Sequence, residues 1–255
     1  MLEDLFSLNG KTAVVTGAGR GLGADIARLL ARAGAHVHLL SRGAAALDAT
    51  CGEIRAAGGR CEPVVCDILD DDQLQRAFAA LPALDILVNN AGTNSPAPLR
   101  DVTTDQLDTM LALNVRATYL ATQAAVQRMG GLHGDAPRGG VIVNISSQMG
   151  HVGAPGRTVY CMTKHAIEGL TKAAAVELAP LGIRVNSVAP TFVDTPMTKP
   201  FFADPAFRQW VFDRIPAGRL LDSAEVAAAV LYLASPAAAM ITGTSLRLDG
   251  GWTAQ

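Results

Sequence analysis

The chain has 255 residues, a formal net charge of −2, 49% hydrophobic residues and only 17% charged ones. That length is ordinary for one α/β domain, and the apolar content suits helices covering both faces of a buried sheet. No basic run offers a footprint for nucleic acid, no apolar run reaches the roughly 18 residues that a bilayer span needs, and the acidic Met1-Leu2-Glu3-Asp4-Leu5 lacks a signal peptide's basic start. A soluble, cytoplasmic protein is expected, with neither a nucleic-acid nor a membrane partner.

Lys11 to Thr16 reads as a buried strand that runs into Gly17-Ala18-Gly19-Arg20-Gly21-Leu22-Gly23 and then an Ala/Leu helix. A strand, a glycine turn and a helix start make an anion site, because the backbone can approach a pyrophosphate and offer free N–H groups. The spacing is Gly-x-x-x-Gly-x-Gly. His36 to Leu40 is a second strand, and its two histidines read as strand residues rather than ligands. A carboxylate at this strand's end would select NAD through the ribose 2′-OH. Here the end is Ser41-Arg42. Arg42 with Arg20 offers guanidinium chemistry for a 2′-phosphate, so NADP is expected, with NAD possible. The alternative is two surface arginines.

Helix Ala44–Ala57 and strand Cys61–Cys66 follow, with Asp67 and Ile68 beside the expected adenine. Asp70 to Asp72 opens a helix, where acidic residues suit the dipole. Asp85 to Val88 is a fourth strand, entering Asn89-Asn90-Ala91-Gly92. Thr103 with Gln106 makes a capping box for one long helix to about Met129. Asn114 interrupts its apolar face, and either ties neighbouring loops together or holds a water.

Val141 to Ile145 is a fifth strand ending in Ser146-Ser147, and thirteen residues beyond Ser147 comes Tyr160-Cys161-Met162-Thr163-Lys164. Tyr160 and Lys164, four apart, share one helix face. A hydroxyl, a phenol and an ammonium form a proton-transfer site, and the Lys164 charge is expected to lower the Tyr160 pKa. Ile183 to Val188 is a sixth strand and Thr244 to Leu248 a seventh. Between them, the aromatic stretch at about 192–221 is either a lid over the substrate or a packing flap. Asp222 with Glu225 caps the last helix. The four cysteines show no zinc or redox spacing, so free thiols and no metal are expected. Strands alternate with helices throughout, which predicts a single-domain Rossmann fold over residues 1–255: a doubly wound, seven-stranded parallel sheet with helices on both faces.

The combination Thr16-Gly17-x-x-x-Gly21-x-Gly23, Asn89-Asn90-Ala91-Gly92, Asn114, Ser147, Tyr160-x-x-x-Lys164, Pro190 and Asp249-Gly250-Gly251 resembles the short-chain dehydrogenase/reductase family over the whole chain. The resemblance implies Tyr160 as general acid/base and Lys164 as holder of the nicotinamide ribose. It implies Ser147 as the hydrogen-bond donor to substrate and Asn114 as support for a relay water. It places Gly17, Arg20, Gly21, Leu22, Ser41, Arg42, Asp67, Ile68, Asn90, Ala91, Gly92, Pro190, Val193 and Thr195 around the cofactor. The substrate wall would draw on Asn94, Ser147, Gln148, His151, Tyr160 and Phe192, with His151 equally readable as a plain loop residue. Thr191 stands where many members have Gly. The family usually forms homotetramers.

Both chain ends resemble the gluconate 5-dehydrogenase and polyol dehydrogenase branch, which implies a secondary alcohol or ketone of a polyol, sugar or sugar acid as substrate. A 3-oxoacyl-carrier-protein reductase or general carbonyl reductase is the alternative, although Leu181 stands where a basic docking residue is common. From other classes, a non-catalytic NADP(H)-binding regulator would be expected to have lost Tyr160, Lys164 or Ser147, and a lyase or epimerase to carry an added substrate domain.

Overall fold

The computed structural model describes residues 2–129, 138–194, 198 and 202–255. Its seven parallel strands lie in the order β3-β2-β1-β4-β5-β6-β7. They are β1 Thr12–Thr16, β2 His36–Ser41, β3 Arg60–Val65, β4 Ile86–Asn89, β5 Gly140–Ile145, β6 Ile183–Pro190 and β7 Ser245–Leu248. The β1 residues Val14 and Val15 are fully buried and pair with both β2 and β4. A parallel strand covered on both faces carries an uninterrupted apolar run rather than an alternating one.

Helices α2 (Gly21–Arg32), α3 (Ala44–Ala56) and α9 (Ser223–Ala234) belong to one face. Helices α4 (Asp71–Ala79), α6 (Ala117–Met129) and α7 (Thr158–Leu178) pack on the other. The remaining helices are α1 (Leu2–Phe6), α5 (Thr104–Leu111) and α8 (Pro205–Phe212). Side-chain caps start several of them. Asp70 accepts from the Gln73 amide at α4, and both Thr103–Gln106 and Asp222–Glu225 close capping boxes.

The long helix expected from Thr103 to Met129 is interrupted. Residues Ala112–Arg116 form a π turn between α5 and α6, with buried Asn114 at its centre. The extra residue of a π turn swings Asn114 out of register with the apolar stripe on either side. The third strand lies one residue earlier than Cys61–Cys66, at Arg60–Val65, which leaves Cys66 in the loop. All four cysteines are free and buried.

Buried amides stitch the layers together beneath the site. Asn89 Nδ2 donates to Asn144 Oδ1 (2.9 Å) and Thr122 Oγ1 (3.0 Å), and Asn144 Nδ2 donates to Thr171 Oγ1 (3.0 Å). The ladder joins β4, β5, α6 and α7, where an unpaired amide would be costly. Strand order reverses between β1 and β4, so a crevice opens there at the carboxyl ends of the strands.

Candidate active site

Gly17 and Arg20 lie in the turn between β1 and α2, and Gly21 and Leu22 open α2, on the β1 side of that crevice. Gly17 has φ +68°, reachable without strain only by glycine. A Cβ on Gly23 would stand 2.4 Å from the Gly17 carbonyl oxygen and 2.5 Å from Asn90 Nδ2, so only glycine lets α2 sit this close to the turn. No side chain caps α2, which leaves its first N–H groups to face whatever binds there. This cradle suits a pyrophosphate.

Ser41, the last residue of β2, packs on the turn: a Cβ on Gly19 would meet its Oγ at 2.8 Å. Arg20 and Arg42 are both exposed at this edge and, among the described residues, neither forms an ion pair. Asp67 accepts from the Leu69 amide (3.0 Å), and Ile68 beside it is buried, together forming a small wall after β3. Asn90, Ala91 and Gly92 follow β4 across the crevice. The residues present therefore fit a dinucleotide carrying a 2′-phosphate.

The reactive groups sit at the ends of β4, β5 and β6. Ser147 Oγ donates to Gln148 Oε1 (2.8 Å) and accepts from the Met149 amide (3.1 Å). The same hydroxyl favours the charged form of the Tyr160 phenol. Lys164 lies one turn along α7, its Nζ 5.5 Å from the centre of the Tyr160 ring and donating to the Ile145 carbonyl oxygen (2.8 Å). Asn114 ties loops together. Its Nδ2 donates to the Thr93 carbonyl oxygen (2.8 Å) and to Thr163 Oγ1 (3.2 Å), while its Oδ1 accepts from the Thr93 amide (2.8 Å).

The expectation that Lys164 lowers the Tyr160 pKa meets a stronger opposing effect. Burial pushes the phenol up to about 12, although Tyr160 keeps partial exposure, while the Ser147 hydroxyl and Arg157 pull it down. Burial likewise pushes Lys164 down to about 8, partly offset by Glu168. Desolvation disfavours either charged form, and here it outweighs the opposing pull of Ser147 and Arg157 on Tyr160 and of Glu168 on Lys164.

Pro190 ends β6, and Val193 beyond it is buried in the main core. Thr195 lies outside the described residues. The base of the 192–221 segment is pinned: Leu221 N donates to the Phe192 carbonyl oxygen (3.0 Å) and Asp194 N to that of Leu221 (2.9 Å). Phe192 then anchors an aromatic cluster, with ring centroids 5.7 Å from Phe202, 5.7 Å from Phe207 and 6.0 Å from Trp252. Tyr160 and Met149 pack against this same cluster.

Of the expected substrate wall, Gln148 is 1% exposed, with Nε2 lacking a partner among the described residues, as does Asn94 Oδ1. His151, expected either in this wall or as a plain loop residue, has a partner on β7. Its Nε2 is engaged by Ser245 Oγ at 2.9 Å and by Glu168 Oε1 at 3.4 Å, which leaves Nδ1 for anything in the cleft. Reading the sequence missed Trp252, buried Arg157 at the start of α7, and buried Glu168. The spacing of Glu168 from Lys164, the same four residues that separate Lys164 from Tyr160, was the available signal.

Comparison with known proteins agrees with this geometry. A family model described as enoyl-(acyl carrier protein) reductase matches residues 17–253. The chain is 38% identical to gluconate 5-dehydrogenase of Gluconobacter oxydans (strain 621H), over 98% of this chain and 97% of that one. It is 39% identical to L-xylulose reductase of Bos taurus, over 97% and 98% respectively. The crystal structure of a gluconate 5-dehydrogenase from Burkholderia cenocepacia J2315 in complex with NADP and tartrate superposes with a TM-score of 0.93 at 32% identity, covering 100% of both chains. With its glycine turn at the sheet's switch point and Ser147, Tyr160 and Lys164 gathered beside it, the chain belongs to the short-chain dehydrogenase/reductase family.

Proposed function

We propose that this enzyme interconverts a secondary alcohol and a ketone of a polyol, sugar or sugar acid, using NADP(H). The observation that carries the reading is the placement of Tyr160, influenced by the Ser147 hydroxyl and one turn from Lys164, at the strand ends beside the glycine cradle. When bound, the nicotinamide supplies or accepts the hydride at the substrate carbon. Tyr160 Oη gives its proton to the ketone oxygen in reduction and takes it from the hydroxyl in oxidation. Ser147 Oγ orients that oxygen. Lys164, as an ammonium near the ring, stabilises the phenolate left after proton donation. Gly17, Gly21 and the first turn of α2 would hold the pyrophosphate, with Arg20, Ser41 and Arg42 at the 2′-phosphate. Asp67, Ile68, Asn90, Ala91, Gly92, Pro190, Val193 and Thr195 would line the rest of the cofactor site.

The relatives' names support the substrate class, as do the buried Gln148 Nε2 and Asn94 Oδ1, polar groups without a partner among the described residues. Phe192 would close the apolar side, and the 192–221 segment serves as the lid over one domain. We extend the reading to Asn114 as support for a proton-relay water and to a cytoplasmic homotetramer. Exposed apolar side chains on α6 and α7, Tyr119, Met162 and Val176, favour subunit contacts there. Light scattering on the purified chain tests the tetramer.

Initial rates with NADPH and NADH test the function, measured with L-xylulose in reduction, gluconate in oxidation, and cyclopentanone as an apolar control. Turnover of either sugar-type substrate well above cyclopentanone supports the reading. Turnover confined to cyclopentanone makes this a general carbonyl reductase instead.

A further inference from the structure

Beneath the Tyr160–Lys164 pair lies a buried polar cluster that the proposed chemistry does not use. Glu168, one turn beyond Lys164 on α7, is 5% exposed. Ser187 Oγ on β6 donates to its Oε2 (2.8 Å), and Ser245 Oγ on β7 donates to its Oε1 (3.1 Å). Because Ser245 gives its proton to Glu168, it accepts from His151 Nε2 at 2.9 Å, which assigns the proton-bearing nitrogen of that imidazole. Every neighbour of Glu168 in this network is thus a donor, the setting of an ionised carboxylate. The loop carrying Ser147 and His151 seats directly on this stretch of helix. A Cβ on Gly150 would stand 3.1 Å from Glu168 Cγ and 3.0 Å from the Lys164 carbonyl oxygen.

A buried carboxylate costs folding free energy unless it is paired, and three separate elements, β6, β7 and the loop after β5, converge on this one. Lys164 and Glu168 make no direct ion pair, so contact between them does not account for the arrangement. Their coupling is through space. We propose that Glu168 is a positioning residue for the reaction, held by Ser187, Ser245 and His151 so that its negative charge keeps Lys164 an ammonium during turnover. The proposal rests on Tyr160 and Lys164 being the reacting pair.

The surroundings leave Glu168 as the charge that matters. Among the described residues, the titratable groups facing this pair are Tyr160 on the same helix and His151 from the loop after β5. Arg157 and Cys161, at the start of α7, act on Tyr160. Strands β5, β6 and β7 present the Ile145 carbonyl and the hydroxyls of Ser187 and Ser245, all neutral. Burial drives Lys164 toward the neutral amine, and Glu168 is what opposes it.

The test is a carbon-13 NMR titration of the lysine side chains in wild type and Glu168→Gln, with Lys164→Met assigning the resonance. It is paired with the pH profile of kcat for L-xylulose and gluconate. Glu168→Gln is expected to keep its fold and NADPH affinity while the Lys164 midpoint falls by about one pH unit. The alkaline limb of kcat should fall with it. Glu168→Asp, which keeps the charge one methylene farther back, should show a smaller fall in the same direction and recover most of the wild-type profile. A Lys164 midpoint unmoved in Glu168→Gln overturns the proposal, as does a moved midpoint with an unmoved kcat limb. Should Glu168→Gln not fold, Glu168→Met takes its place as the uncharged variant, and an unmoved Lys164 midpoint in it overturns the proposal equally. If wild type turns over neither substrate, the substrate reading fails by itself, and the NMR midpoint still decides the role of Glu168.

Discussion

Asn90 reaches back across the crevice to Thr16. Its Nδ2 donates to the Thr16 carbonyl oxygen at 3.0 Å, while Thr16 Oγ1 accepts from the amides of both Asn90 and Ala91 at 3.0 Å each. These bonds lock the glycine turn after β1 to the loop after β4 and fix both walls of the cofactor site. Gly23 is packed beneath the same clamp. Gly23→Ala should therefore lose roughly 1–3 kcal/mol of stability through overpacking, with weaker NADPH binding. Gly21, at φ +57° with open space around it, should cost only about 1 kcal/mol on replacement by Ala. Thermal denaturation of the two variants checks the order. Equal losses would mean that the turn yields to the added methyl.

Tyr160→Phe removes the phenol but leaves the ring in its aromatic surroundings. NADPH affinity should stay within about twofold, while kcat falls by roughly 10²–10⁴-fold. Near-wild-type turnover in this variant would assign the proton transfer to another group.

Arg42→Ala, alone and with Arg20→Ala, tests the 2′-phosphate site. Each lost guanidinium–phosphate bond is worth about 1.5–3 kcal/mol, so the NADPH-over-NADH ratio of kcat/KM should drop about tenfold or more. An unchanged ratio makes both arginines surface charge.

The pH dependence follows from Lys164. Its pKa is lowered from 10.5 to about 8, so the ammonium is present below that pH and lost as pH rises through it. We expect kcat/KM to fall above about pH 8. The same shift acts in the other direction on stability. Between about 8 and 10.5 the folded state has released a proton that the unfolded chain retains, so this group favours folding increasingly as pH rises. Activity and stability should therefore part company over that window, a pattern that parallel rate and melting measurements will detect.

Trp252 is held in the aromatic cluster by the C-terminal turn. Asp249 accepts from the Gly251 amide (3.0 Å) and from Thr253 Oγ1 (2.6 Å), and Trp252 packs 5.5 Å from Trp210. Trp252→Ala should cost about 3–5 kcal/mol and raise KM more than it lowers kcat, because Tyr160 packs against this cluster without any of its rings reaching the proposed proton transfer. A lowered kcat at constant KM would place the ring in the chemistry instead.

Much of this molecule is legible in its local sequence. The apolar runs of β1, β4 and β5, the glycine turn, and the capping boxes at Thr103 and Asp222 each depend on neighbours within a few residues, so spacing alone reveals them. The pairing of Tyr160 with Lys164 is of the same kind, since helical periodicity sets it. What local spacing could not decide are the results of packing between distant segments. The π turn at Asn114 exists because that side chain bonds Thr93 and Thr163, residues 21 and 49 positions away. His151 is readable from sequence either as a substrate-wall residue or as a plain loop residue, and its bond to Ser245 on β7 depends on a strand 94 positions away. The balance of charge at Tyr160 and Lys164 turns on desolvation, which depends on how much of the chain surrounds each group. Residue identity settled which groups are available for the chemistry; only the tertiary structure decided their burial, and with it the direction in which each is driven to hold or release a proton.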